Sequence, residues 1–306
     1  MTKTEGYSCS LCPRRCGVNR LAGEVGFCGA GNRPKVYRYA PHHGEEPPIS
    51  GTRGSGTVFF SHCTLHCLYC QNHPWSQEGR GAEYSTEELA KALEDLAERG
   101  CHNWNFVSPT PWLPLIREAL GVVWDKGVRI PVVYNTSGFE REEIVDGLTG
   151  LVDVFLTDLR YASAELAQEG SGCAAYAETA RRAFLRMWNQ AGPLQVDDSG
   201  VATGGTICRL LILPGRAQEA VDNLKWLAGA AGTDVTVSVM AQYMPAHMAV
   251  RGNCGRDWQR RITRGEYEKV CSAVEELGFL KGWIQDLDES SPENLVGYKM
   301  QPGREL

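Results

Sequence analysis

The chain has 306 residues, room for two average domains or one large α/β barrel with an appendage. Apolar residues make up 42% and charged residues 22%, the balance of a folded globular protein, which excludes a disordered chain. A net charge of −6 without a long block of like charge gives no basis for nucleic-acid or membrane-surface binding, and no apolar stretch approaches a membrane span. The polar start, Met1 to Gly6, does not read as a signal peptide, so a cytoplasmic, reducing setting is expected.

Residues 1–55 are rich in Gly, Pro and Cys and show little periodicity, so they read as a loop-rich extension that needs a staple. Residues 56–306 change character and alternate strands with helices. Thr57–Ser61 reads as a buried strand. Ser85-Thr86-Glu87-Glu88 is a capping box, after which Leu89, Leu93 and Leu96 fall on one helical face. Strands are expected over Asn103–Ser108, Pro131–Thr136, Val152–Leu159, Thr206–Leu213 and Asp234–Gln242. The helices between them fall over Trp112–Lys126, Arg141–Leu148, Tyr176–Ala191 and Gln218–Ala230. Gln195–Gly205 reads as an exposed loop. Thr263 and Glu266 cap a last helix that runs to Leu277, and Lys281–Gln285 forms a short closing strand. Such alternation predicts a parallel sheet with right-handed crossovers, open or closed into a barrel, with its sites at the C-terminal strand ends.

Without a secretory signal, the twelve cysteines point to metal or chemistry rather than to a disulfide framework. Cys9, Cys12, Cys16 and Cys28 form one group, spaced C-x2-C-x3-C-x11-C. Cys63, Cys67 and Cys70 form another, spaced C-x3-C-x2-C, on a loop that follows the first strand. The other five are scattered and read as small apolar fillers. A four-iron–four-sulfur (4Fe–4S) cluster on three thiolates leaves one iron open to chelate a small molecule. The alternative at this loop is a zinc ion completed by His62, His66 or His73. The four-cysteine set suits zinc or a second 4Fe–4S cluster equally by spacing, with Arg14, Arg15 and Arg20 beside it to stabilise negative charge.

C-x3-C-x2-C with Tyr69 just before its last cysteine resembles the signature of the radical S-adenosylmethionine (SAM) superfamily. Cys67–Asn72, Asn135-Thr136-Ser137-Gly138-Phe139 and Val154–Arg160 are similar to segments of the pyruvate formate-lyase activating enzyme and its relatives. The N-terminal cysteines, with His43–Gly51, resemble one branch of activating-enzyme-like iron–sulfur proteins. The resemblance implies a partial (β/α)6 barrel with the N-terminal extension appended. It also implies SAM as cofactor and reductive SAM cleavage at a 4Fe–4S cluster on Cys63, Cys67 and Cys70. A 5′-deoxyadenosyl radical then takes a hydrogen atom from a small molecule, a peptide or, as in the activating enzymes, a glycyl-radical protein. A flavodoxin or ferredoxin would supply the electron.

Val107-Ser108-Pro109-Thr110-Pro111 stands where that family carries Gly-Gly-Glu, so Ser108 and Thr110 are the candidate acceptors for the SAM ammonium. Tyr69, Asn135, Ser137, Asp158 and Arg160 complete the cofactor-binding candidates. Arg160 replaces the activating enzyme's lysine, and Asn135 its aspartate. Tyr243 and His247, at the end of a late strand, are the candidate catalytic residues. His42, His43, Glu45 and Glu46 are read either as closing the mouth of the barrel or as a solvated loop. A different class of function, a non-enzymatic two-centre metal or electron-transfer protein, is the competing expectation.

Overall fold

The computed structural model describes residues 8–252 and 254–287. The elements, in chain order, are β1 (Lys35–His42), α1 (Pro47–Ser50), β2 (Ser55–Phe60), α2 (His73–Ser76), β3 (Ala82–Glu83), α3 (Thr86–Glu98) and β4 (Trp104–Val107). They continue with α4 (Leu113–Asp125), β5 (Val132–Thr136), α5 (Glu142–Asp146), β6 (Val154–Asp158), α6 (Ala164–Ser171), α7 (Tyr176–Ala191) and β7 (Gln195–Val196). The last are β8 (Ala202–Leu211), α8 (Ala217–Ala231), β9 (Thr236–Met240), α9 (Arg264–Leu277) and β10 (Gly282–Ile284). Both expected capping boxes form, Ser85 with Glu88 on α3 and Thr263 with Glu266 on α9. Among the described residues no helix is long and apolar enough to cross a membrane.

One sheet joins the strands in the order β10-β9-β8-β6-β5-β4-β2-β1-β3, with β7 paired to β8. The run from β2 to β10 is parallel, and β1 and β3 extend it antiparallel. The path is open, with no pairing between β3 and β10. This is a mixed α/β fold with a parallel sheet, as the alternation predicts.

The strand period of two sorts the side chains into two faces. Trp104 and Phe106 of β4, Tyr134 of β5 and Phe155 of β6 turn to the helices, packing with Leu89, Leu93, Ile116 and Leu120. Cys208 and Leu210 of β8 meet α8 and α9 in the same way. The opposite face carries Val133, Val154, Leu156 and Ile207, and among the described residues no long helix packs on this cluster. Ile49 of α1 packs there instead and is fully buried. The Asn103 side chain holds it in place by donating to the Ile49 carbonyl at 2.7 Å.

Two expectations shift here. β1 and residues 43–54 pack with the sheet, so the loop-rich head spans residues 8–34, where the regular element is one 3-10 turn at Arg20–Ala22. The outer limits of the two expected regions, residues 1–7 and 288–306, lie outside the described residues. Second, the His42–Glu46 segment does not close the mouth. His42 pairs with Ser55, at the N-terminal start of β2, so the chain enters the inner face from the far end. The antiparallel pairing of β1 dictates this, because it returns the chain to the edge opposite the catalytic one.

Ile49→Ala should therefore cost about 2–4 kcal/mol, read as a lowered denaturant midpoint at unchanged slope.

Candidate functional site

β2 runs into the loop that carries Cys63, Cys67 and Cys70. Trp112 donates its indole N–H to the Ser61 carbonyl at 2.8 Å, and Gln77 its amide to the Cys67 carbonyl at 2.9 Å. Cys70 closes a tight turn onto the Cys67 carbonyl at 3.2 Å. The Cys63 sulfur accepts from the Leu65 N–H at 3.5 Å, and Ser76 Oγ lies 3.3 Å from the Cys70 sulfur. Burial pushes the Cys63 and Cys67 thiols up to about 11 and raises Cys70 too, while the Arg160 guanidinium pulls all three the other way.

An aromatic layer backs this loop. Tyr69 stacks on Trp258 with centroids 5.2 Å apart, and its hydroxyl accepts from Tyr161 at 3.0 Å. Tyr176 donates to the Ser137 carbonyl at 2.6 Å and accepts from the Arg160 N–H at 3.1 Å. The layer thus ties the cluster loop to the ends of β5 and β6.

A cleft opens at these strand ends. Tyr69, Cys70, Ser108, Asn135, Ser137, Asp158 and Arg160 line it, joined by Glu45, Arg209 and Met240. Asp158 accepts from Arg160 Nη2 at 2.5 Å and from Arg209 Nε at 3.0 Å. Arg209 also donates to Glu45 at 3.3 Å and to the side-chain amide oxygen of Asn135. Asn105 and Asn135 donate to Glu45 at 3.0 and 3.3 Å. Burial works against the Arg209 charge, but Asp158, Glu46 and Glu45 together hold its pKa above the ordinary value. Burial raises the Glu46 carboxyl against the pull of Arg209. Glu45 is thus a floor residue of the cleft, delivered from below.

The turn after β5 has a strict requirement. A Cβ on Gly138, at φ 80°, would stand 2.4 Å from the Asp158 carbonyl oxygen, so only glycine lets the two strand ends meet. Beneath the turn, Glu140 is fully buried and accepts from Thr110 at 2.6 Å and from Thr136 at 2.5 Å. Burial pushes its carboxyl up to about 7.

Several sequence candidates sit elsewhere. Thr110 is buried against Glu140 rather than in the cleft. Tyr243 is 1% exposed and donates to the Trp258 carbonyl at 2.7 Å, so it belongs to the aromatic layer. His247 stacks on His73 at 4.5 Å, outside the cleft lining, with burial lowering it to about 4. Arg209 and Glu140 carried no role in the sequence reading. Arg209 had a signal, being the one charged residue in the run Thr206–Leu213.

The residues present fit an iron–sulfur cluster, which takes cysteine thiolates and, held by three of them, leaves one iron open. Among the described residues, no three Cys, His, Asp or Glu side chains converge as a single-ion site requires. Of the histidines nearby, His62 packs on Trp112, His66 on Phe27 and His73 on His247, and Nδ1 of His62 and Nε2 of His66 have no hydrogen-bond partner among the described residues. Three cysteines on one loop, Cys67 buried and Cys70 in the cleft wall, suit a group that spans loop and cleft. The unpartnered buried Nε of Arg160 is free to serve an anionic ligand there.

In the head, Cys9, Cys12, Cys16 and Cys28 line one cavity together with Arg14, Arg20, Phe27, Thr64 and Pro111. Turns at Cys12–Arg15 and Cys9–Gly17, each closed at 3.0 Å, gather the thiols. Gly26 makes room for Cys16, whose sulfur a Cβ there would meet at 2.5 Å. Arg20 is buried and donates to the Gly31 carbonyl at 2.7 Å and to the Pro111 carbonyl at 2.6 Å, stitching the head to the turn after β4.

Fold and loop together define a parallel α/β protein with a three-cysteine centre at its first parallel strand end. The family model of the radical SAM superfamily matches residues 57–181. The chain is 30% identical over 280 residues to the uncharacterized protein MJ0674 of Methanocaldococcus jannaschii, covering 88% of this chain and 74% of that protein. Its fold is similar to that of methylornithine synthase (PylB), with TM-score 0.50 and 14% identity over 77% of this chain and 65% of that one. It is also similar to the FeFe-hydrogenase maturase HydG, with TM-score 0.50 and 15% identity over 77% of this chain and 52% of that one. The chain thus spans between about half and just under two thirds of the length of these solved structures. It belongs to the radical SAM superfamily, whose members are enzymes, and its fold is the partial barrel of that superfamily.

A carboxyl raised to about 7 in the fold from 4.5 costs stability as pH climbs through that window. Glu140→Gln should match wild type near pH 4.5 and gain about 1–3 kcal/mol over it at pH 8. Unfolding curves across this range check it, and parallel pH profiles would contradict it.

Proposed function

We propose that this chain is a radical SAM enzyme acting on a small molecule or a peptide, with Cys63, Cys67 and Cys70 as the cluster ligands. A 4Fe–4S cluster bound there supplies reductive cleavage of SAM to methionine and a 5′-deoxyadenosyl radical. The observation that carries this reading is the joining of three cysteines on one short loop, Cys67 buried and Cys63 and Cys70 half-buried, to a charged cleft whose wall includes Cys70.

The chain's own residues hold and screen the ligand. Arg160, anchored on Asp158, offers a cationic fork to a carboxylate, and its unpartnered Nε adds a further donor. Ser108, Asn135 and Ser137 present acceptors and donors to an ammonium or a ribose at adjacent strand ends. The segment that carries Glu45 fills the inner face from below and keeps bulk water from entering there. The paired charges of Glu45 and Arg209 make the floor polar, which supports a substrate with hydrogen-bonding groups. Thr110, Tyr243 and His247 act behind the cleft in this reading, as supports. The head cysteines hold a metal centre of their own. A flavodoxin or ferredoxin donor and a reducing cytoplasm go with the same chemistry.

Anaerobically reconstituted protein given SAM and dithionite should release 5′-deoxyadenosine and methionine. Cys63→Ala/Cys67→Ala/Cys70→Ala should lose about four irons per chain and all of this activity. Arg160→Ala should keep its iron but bind SAM about 10-fold more weakly, by equilibrium dialysis. Unchanged iron in the triple variant would remove the assignment.

A further inference from the structure

We infer that the four head cysteines hold an iron–sulfur cluster wired to the barrel centre through Thr64 and Arg14, making the head an electron entry point rather than a staple. This rests on the reading of Cys63, Cys67 and Cys70 as cluster ligands. The matched superfamily region begins at residue 57, so the cysteines of the head lie outside it.

Three observations carry the inference. All four thiols line one cavity, so a single group can meet them together. Thr64 lies in the wall of the same cavity and is the neighbour of Cys63 in the chain, so one residue links the two thiol sets. Arg14 fixes that link by donating from Nε to the Thr64 carbonyl at 3.2 Å, with its guanidinium 3.7 Å above the Phe27 ring. Its buried Nη2 has no partner among the described side chains and backbone. A cation held against the cavity with a spare donor favours the more negative, reduced form of a cluster. A zinc staple would use neither the spare donor nor the contact with Thr64.

The step is a one-electron relay. A low-potential one-electron donor, dithionite in the test tube, reduces the head cluster. The head then passes that electron to the barrel cluster and returns to its oxidised state. No bond is made or broken in the transfer.

Iron, sulfide and zinc analysis after anaerobic reconstitution tests occupancy. Wild type should carry about eight irons, and the Cys63→Ala/Cys67→Ala/Cys70→Ala variant should keep about four at the head with no zinc. Stoichiometric zinc, or no iron, in that variant would overturn the inference while leaving SAM cleavage by wild type untouched. In the triple variant, Arg14→Gln should lower the head midpoint potential in an EPR-monitored titration. An unchanged potential would remove Arg14 from the link. In fully reduced wild type, the EPR lines should broaden by spin coupling between the two centres. A spectrum equal to the sum of the triple variant and Cys9→Ala/Cys12→Ala/Cys16→Ala/Cys28→Ala would refute the relay. Should the quadruple variant fail to fold, Cys16→Ala at the exposed thiol replaces it. It should change the head signal alone, and a changed barrel signal with the head unaltered would contradict the assignment.

Discussion

Three thiols can be buried side by side only in neutral form or with a cationic group to meet them. That constraint governs the catalytic end of this protein. Burial pushes Cys63 and Cys67 up to about 11, while a metal takes cysteine as thiolate. Arg160 lowers all three without overcoming burial. A cluster that supplies positive charge and displaces the protons turns a costly arrangement into a stable one. The aromatic layer of Tyr69, Tyr161, Tyr243 and Trp258 holds the loop in shape for this, and it holds the strand ends at the same time.

The inner face of the sheet follows a second rule, the strand period of two. One register puts Val133, Val154, Leu156 and Ile207 beneath Ile49. The same register puts Asn105 and Asn135 on that face beside them, and Asp158 and Arg209 beyond them at the C-terminal ends. The apolar half takes α1, and the polar half becomes the floor of the cleft. Glu45 joins the two halves, since its backbone belongs to the segment from below and its carboxylate to the Arg209 network. Arg209 lies among three carboxylates with its side chain 13% exposed, and its loss would leave those carboxylates facing one another without it.

Much of this was legible in the sequence because the parallel strands are apolar runs bounded by capped helices. α7 falls where periodicity puts it, and Ser108, Asn135, Ser137, Asp158 and Arg160 reach one cleft because strand ends share one edge. The unread parts depend on long-range packing. β1 ends in Pro41 and His42 and is only half-buried, so it lacks a strand's alternation. Residues 43–54 look like a surface loop, and only the antiparallel turn-back of β1 sends them under the sheet. Tyr243 stands at a strand end as a substrate contact would, but Trp258, distant from Tyr69 in the chain, supplies the partner that buries both. Glu140 has no sequence signal of its own, and Thr110 and Thr136 give it its buried site.

The account turns on an open iron at the three-cysteine loop that binds SAM directly. EPR spectroscopy of the reconstituted, dithionite-reduced protein, before and after addition of SAM labelled with 15N or 17O on its amino acid group, addresses this point. The expected result is a shifted cluster signal with hyperfine coupling to the label. A cluster spectrum indifferent to SAM, or a protein with zinc at these three cysteines, would contradict the account.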